Sequence, residues 1–240
     1  MKIALGIVAV AGLATVASAQ LSTASPNRSS PGPYGDRATT YSWDDGTAEN
    51  GVGLTGGGVL AAINAFPVAA GDNVITSVDV SWGTPAFPGA SGVVTGATFD
   101  YYVWSANGPG SNPSGAGSTL LFSGTSTING ANVDNDTFQS LAVPSVAISS
   151  TFFYVGVAIS HAGGTFPIGT DLTNPTTSGV SWAAGGASFD PNNVSFSGGG
   201  TIDIAPSGFG NWMLRANAVP APSALALIGL GGIVAGRRRR

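Results

Sequence analysis

Chemistry in this chain has to come from carboxylates, hydroxyls and one imidazole, because the sequence holds no cysteine, a single histidine and a single glutamate. The densest acidic stretch is Asp44-Asp45-Gly46-Thr47-Ala48-Glu49, and a second is Asp134-Asn135-Asp136. Hard cations take clustered carboxylate, amide and carbonyl oxygens, so Asp44, Asp45, Glu49, Asp134 and Asp136 are candidate ligands for a structural Ca2+, although neither stretch follows the EF-hand loop pattern. No other cofactor is expected. Glu49 paired with Asp44 or Asp45 also permits glycosidase chemistry, which needs two carboxyl groups about 5 to 9 Å apart. The plainer alternative is that these acids order turns, as in Asp45-Gly46.

His161 is the one imidazole, and no G-x-S-x-G elbow accompanies it, so a Ser-His-Asp hydrolase is not expected. One histidine also cannot build a His-rich zinc site. Gly51-Val52-Gly53-Leu54-Thr55-Gly56 matches a dinucleotide-binding string, but no apolar strand precedes it and no βαβ alternation follows, so it reads as a glycine-rich turn. Tyr101, Tyr102, Trp104 and Trp182 have rings able to stack on sugars, or to fill the core of a two-sheet protein. The residues assemble no catalytic constellation, and the chain is expected not to be an enzyme.

The scaffold for these residues is set by composition. Charged residues make up only 8% of the chain, and 37 glycines with 15 prolines speak for loops, while five Trp, eleven Phe and five Tyr supply area for a packed core. Between Gln20 and Pro222 three arginines oppose all 12 acidic residues, a balance of −9. Such a surface repels phosphate backbones and excludes nucleic acid as a partner.

The chain in order carries an address, a leader, a β body and a second address. Residues 1–19 read as a signal peptide: Lys2, an apolar run, then Ala17-Ser18-Ala19 in the small-x-small pattern cleaved by signal peptidase after Ala19. Residues 20–40, rich in Ser, Pro and Gly, read as a flexible leader. Residues 41–218 form one domain. In it residues 74–82 alternate apolar and polar, the mark of a half-buried strand, and residues 152–160 are almost continuously apolar, as in a central strand covered on both faces. Further strands are expected over 99–105, 119–123, 137–143, 179–183, 194–197, 201–205 and 212–216. No helical stripe competes, so the expected fold class is all-β, a single antiparallel β-sandwich or jelly-roll-like domain.

Residues 219–240 follow, VPAPSALALIGLGGIVAGRRRR. Pro220 and Pro222 stop the last strand, Ser223 can cap a short apolar helix over 224–235, and Arg237, Arg238, Arg239 and Arg240 close the chain. Such a helix spans about 18 to 20 Å, short of the roughly 30 Å hydrocarbon core, which suits transient membrane association better than a permanent span. The proline motif, apolar segment and arginine cluster resemble the PEP-CTERM sorting signal of exported bacterial proteins, with Ala221 where the name-giving glutamate lies. The resemblance implies processing by exosortase, a membrane-embedded transpeptidase. It also implies delivery to the cell surface or extracellular matrix, with transient inner-membrane anchoring through the C-terminal segment. The combined expectation is an exported, structural or adhesive β-sandwich protein. The alternatives are a carbohydrate-binding module with extracellular polysaccharide as partner, or a secreted carbohydrate-active enzyme.

Overall fold

A computed structural model describes residues 39–108, 110–173 and 176–221. The elements run β1 (Thr39–Tyr41), β2 (Asn50–Val52), β3 (Gly57–Pro67), β4 (Val74–Val80), β5 (Thr98–Ala106), β6 (Ser118–Thr127) and β7 (Gln139–Ala147). They continue with β8 (Phe152–Ala162), β9 (Ile168–Asp171), β10 (Ser181–Gly186), β11 (Ile202–Asp203), β12 (Asn211–Trp212) and β13 (Leu214–Val219). Every pair of neighbouring strands is antiparallel.

The strands form a four-stranded sheet, β1-β13-β4-β7, a six-stranded sheet, β11-β10-β3-β8-β5-β6, and a small side sheet, β12-β9-β2. Side chains of a strand alternate between faces, and β8 uses both. Phe153, Val155, Val157 and Ile159 point into the core shared with the four-stranded sheet, where they meet Tyr41, Ile75, Val78, Leu141, Leu214 and Ala216. Tyr154 and Ala158 point outward into a second apolar layer with Ile63, Tyr102, Trp104, Trp182 and Val194. This explains the near-continuous apolar run of residues 152–160: the strand is central and covered on both faces.

The structure adds β3, which pairs with β8 along its whole length from Gly57 to Pro67. It starts directly after the glycine string, and Gly57 and Gly58 hold φ of +73° and +119°, values that only glycine adopts freely. Residues 194–197, expected as a strand, make only single bridges, Val194 to Gly115 and Phe196 to Gly185. The alternation of residues 74–82 ends at Val80 as a strand, and Trp82 instead bridges to Val133 and to Ile168 at the start of β9, fully buried with its ring against Phe99 of β5.

The all-β class stands, and the correction concerns its flank. Among the described residues the only helical segment is the three-residue 3-10 turn Gly130–Asn132. No helix of the described residues is long and apolar enough to cross a membrane. The expected apolar helix over 224–235 lies outside the described residues. On this finding the flanking helix, the reading of residues 219–240 as a membrane or transmembrane segment, and the transient inner-membrane anchoring are withdrawn.

Candidate functional site

The two acidic stretches separate into three different jobs. Asp44 does not join a cation site. It is buried, and Nε of Arg215 on β13 donates to both of its oxygens, at 2.9 and 3.2 Å, while Nη2 of the same guanidinium also contacts Oδ1. The guanidinium lies 3.9 Å over the Phe138 ring, which fixes it from the other side. Burial pushes the Asp44 carboxyl above its ordinary range, with Arg215 pulling the other way and the nearby Asp171 adding to the rise.

Asp134 and Asp136 are clips for backbone. Asp134 accepts from the N–H of Thr84 at 3.2 Å and of Gly89 at 2.8 Å, and from the Ser91 hydroxyl at 3.2 Å. Gly83 makes room for it, since a Cβ there would sit 1.9 Å from Asp134 Oδ1. Asp136 accepts from the Ala48 N–H at 2.8 Å. Both residues hold a left-handed φ, 55° and 57°, which aspartate tolerates better than most side chains. Carboxylates engaged in this way order the 83–91 loop and its neighbour rather than converge on an ion.

What remains is a corner on the side sheet where Asp45, Glu49 and Asp171 each bring a carboxylate oxygen within 4.8 Å of the others. Glu49 precedes β2 and Asp171 ends β9, so the antiparallel register of β2 with β9 brings them together, and the Glu49 N–H donates to Thr170 O at 3.1 Å. Asp45 is drawn in by its own N–H, which donates to Asp171 Oδ2 at 2.7 Å. Leu172 N–H donates to Glu49 Oε2 at 2.8 Å and Thr173 N–H to Asp171 Oδ1 at 2.8 Å. The Thr47 hydroxyl lies 2.7 Å from Asp45 Oδ1 and 2.8 Å from Glu49 Oε1, and its single proton serves one of them at a time. Those Thr47 hydrogen bonds hold the Asp45 carboxyl below its ordinary range. Asp171 is the member that sequence reasoning missed, because it stands alone in the chain, 126 residues from Asp45.

His161 is committed to the fold. Its Nε2 accepts from the Leu54 N–H at 3.0 Å, so Nδ1 carries the proton, facing Ala162 O at 2.9 Å and Thr165 Oγ1 at 3.1 Å. The ring thereby ties the 53–56 turn to the loop after β8. Burial lowers its pKa from the ordinary 6.5. A histidine with a depressed folded-state pKa contributes stability that is complete above the unfolded value and is lost as pH falls from that value through the lowered one. Melting between pH 8 and 5 is therefore expected to fall more steeply for the natural protein than for His161→Gln, and parallel profiles would contradict this assignment.

The four rings named for sugar stacking divide by face. Tyr102, Trp104 and Trp182 are buried in the outer layer of the six-stranded sheet, where Phe189 packs edge-on against Tyr102 and Trp104. Trp104 Nε1 donates to Pro191 O at 2.7 Å, fastening the loop that covers them. Tyr101 packs on Phe122 and its hydroxyl donates to Ala142 O at 2.9 Å. All four are packing residues. Of the sorting residues, Pro220 and Ala221 follow β13 directly and are exposed. Ala17, Ala19, Pro222 and Arg237 to Arg240 lie outside the described residues.

No protein-family model matches the chain, and no curated protein matches it in sequence. Three chains of solved structures are similar to it, two of which are as follows. One is the clostridial cysteine protease Cwp84 after propeptide cleavage, with 15% identity, a TM-score of 0.49, and coverage of 77% of this chain and 40% of that one. The other holds the cysteine protease and lectin-like domains of Cwp84, a surface layer associated protein of Clostridium difficile, with 15% identity, a TM-score of 0.47, and coverage of 79% and 37%. The chain spans about two fifths of the length of these structures.

Proposed function

We propose that this chain is an exported, non-catalytic β-sandwich protein of the cell surface or extracellular matrix, with a structural or adhesive role and a Ca2+ ion held by Asp45, Glu49 and Asp171. The observation that carries this reading is the spacing at that corner. Asp45, Glu49 and Asp171 each turn a carboxylate oxygen to within 4.8 Å of the others, a convergence of three oxygens on one point. Carboxylate oxygens clustered in this way match the oxygen set of a hard cation. Processing by signal peptidase after Ala19, and by an exosortase-like enzyme acting on the segment from Pro220, belongs to the same proposal.

Extracellular polysaccharide is the second reading, favoured by the exposure of Asp45, Thr47 and Thr173 around the corner. A cation there would keep positions open for sugar hydroxyls. Arg215 is the only lysine or arginine among the described residues and is already paired with Asp44, so charge selects a neutral glycan over a uronic acid polymer.

The test starts with protein purified from the surface fraction of the source cells. Its intact mass is expected to lack residues 1–19 and the four terminal arginines. After chelation, added calcium is expected to raise Tm in the natural protein and not in Asp171→Asn. Retained terminal arginines would count against processing, and an unmoved Tm with no heat of binding would remove the ion. A glycan array with and without calcium separates the two roles: calcium-dependent retention of a neutral glycan supports the second reading, and no retention leaves the structural one.

A further inference from the structure

We propose that β6 is a self-association edge, pairing antiparallel with β6 of a second copy of this chain. The six-stranded sheet ends in β11, two residues long, and in β6, ten residues long. An edge strand offers unpaired backbone N–H and C=O groups, and natural edges refuse partners with charges, proline, brevity or irregular backbone. The β6 sequence, STLLFSGTST, has neither a charged residue nor a proline.

The other edges are protected. β1 and β2 are three residues long and β12 two. The long edge β7 carries Pro144, Ser145 at a left-handed φ of 46°, and a break in its register against β4. β6 has a single irregularity, the extra residue Leu121 between the partners of Val103 and Trp104. At its far end Gln139 Nε2 donates to Thr127 O at 2.8 Å. The ladder open to a partner therefore runs from Phe122 to Ser126, which makes the dimer weak and concentration-dependent.

Charge selects the same place and the same partner. With Arg215 paired to Asp44, two copies repel wherever carboxylates face each other. The side formed by β6 and β7 is poorer in charge, since QSLAVPSVA of β7 is as free of charge as β6 and the carboxylate beside them, Asp100 of β5, accepts from the Thr125 hydroxyl at 2.7 Å. Thr119, Leu121, Ser123, Thr125 and Thr127 are the exposed residues of β6, so the rim offers hydroxyls and one leucine that is 40% exposed. A strand paired antiparallel with its own copy is self-complementary and closes on a two-fold axis, which gives a dimer rather than a fibre.

Sedimentation equilibrium of the full chain over a range of concentrations tests this, with hydrogen exchange as a second readout. A monomer–dimer equilibrium is expected that strengthens with salt, as screening relieves the repulsion of the acidic bodies. Amides of residues 122–126 are expected to exchange more slowly as concentration rises. Ser123→Glu, which sets like charges across the axis, is expected to weaken the dimer about fivefold or more. Ser207→Glu, exposed in the loop after β11 at the other end of the sheet, leaves it in place. A monomer at every concentration overturns the proposal, and so does a dimer that ignores Ser123→Glu and leaves exchange at 122–126 unchanged.

Discussion

Replacing Arg215 by Met is expected to cost about 3–5 kcal/mol, the range for removing one partner of a buried ion pair. For a domain of this size that is a fall in Tm on the order of 10 °C. The cause lies in Asp44, which is 1% exposed and has no water to turn to. Arg215 meets both of its oxygens, and Asp171 stands near enough to raise its pKa further. Without the guanidinium, a buried carboxyl already pushed above its ordinary range faces a second carboxylate alone. The Phe138 ring also loses the cation above it. The double variant Asp44→Leu with Arg215→Met is expected to recover most of the loss, because neighbouring groups of one network are not additive. Denaturant melts of the four proteins of that cycle are the measurement. A single Arg215→Met variant within about 1 kcal/mol of the natural protein would show the pair to be dispensable.

Asn64→Leu carries the second large effect, about 2–4 kcal/mol, from stranding buried carbonyls and a hydroxyl. Asn64 is fully buried on the inner face of β3 amid apolar neighbours. Its Nδ2 donates to Trp212 O at 3.1 Å and Leu214 O at 2.8 Å, and its Oδ1 accepts from the Ser181 hydroxyl at 2.7 Å. Ser181 Oγ in turn accepts from Asn211 Nδ2 at 3.0 Å and from the Trp212 N–H at 3.2 Å. The network therefore joins β3 and β10 of the six-stranded sheet to β12 of the side sheet and β13 of the four-stranded one. Leucine fits the volume and supplies none of these bonds. Ser181→Ala, which removes a hub but spares the two carbonyls, is expected to cost less. Equal melting of Asn64→Leu and the natural protein would mean that the carbonyls find other donors.

Both effects rest on polar residues that look unremarkable in the chain. Asn64 sits in GGVLAAINAFP, a stretch that follows a glycine-rich string, is not among the strands expected from sequence, and pairs with β8 along its whole length. Its alternation is masked because β3 is covered on both faces, so Leu60 and Ala62 face one core while Ala61 and Ile63 face the other. A run of that kind has no amphipathic period to detect. Residues 194–197 failed in the opposite sense. Val194 and Phe196 alternate well, but they bury their side chains as part of a covering loop that meets β10 only at Gly185 and extends into no ladder.

The acidic corner divides the same way. That Asp45 and Glu49 share one turn is legible from the five residues 45–49, and Thr47 between them completes the local pattern. That Asp44 leaves the group for Arg215, 171 residues away, and that Asp171 takes its place, follow from the pairing of β1 with β13 and of β2 with β9. By itself the chain determined its class, since short alternating runs, abundant glycine and no helical stripe leave sheets as the way to satisfy the backbone. It also limited the side chains available for chemistry to oxygen donors and one imidazole, through the absence of cysteine and the scarcity of histidine. Only the tertiary structure decided which carboxylates meet, which are spent on backbone N–H groups and which long strand is left at a sheet edge. Those outcomes depend on register between distant segments, and register is a property of the assembled sheets.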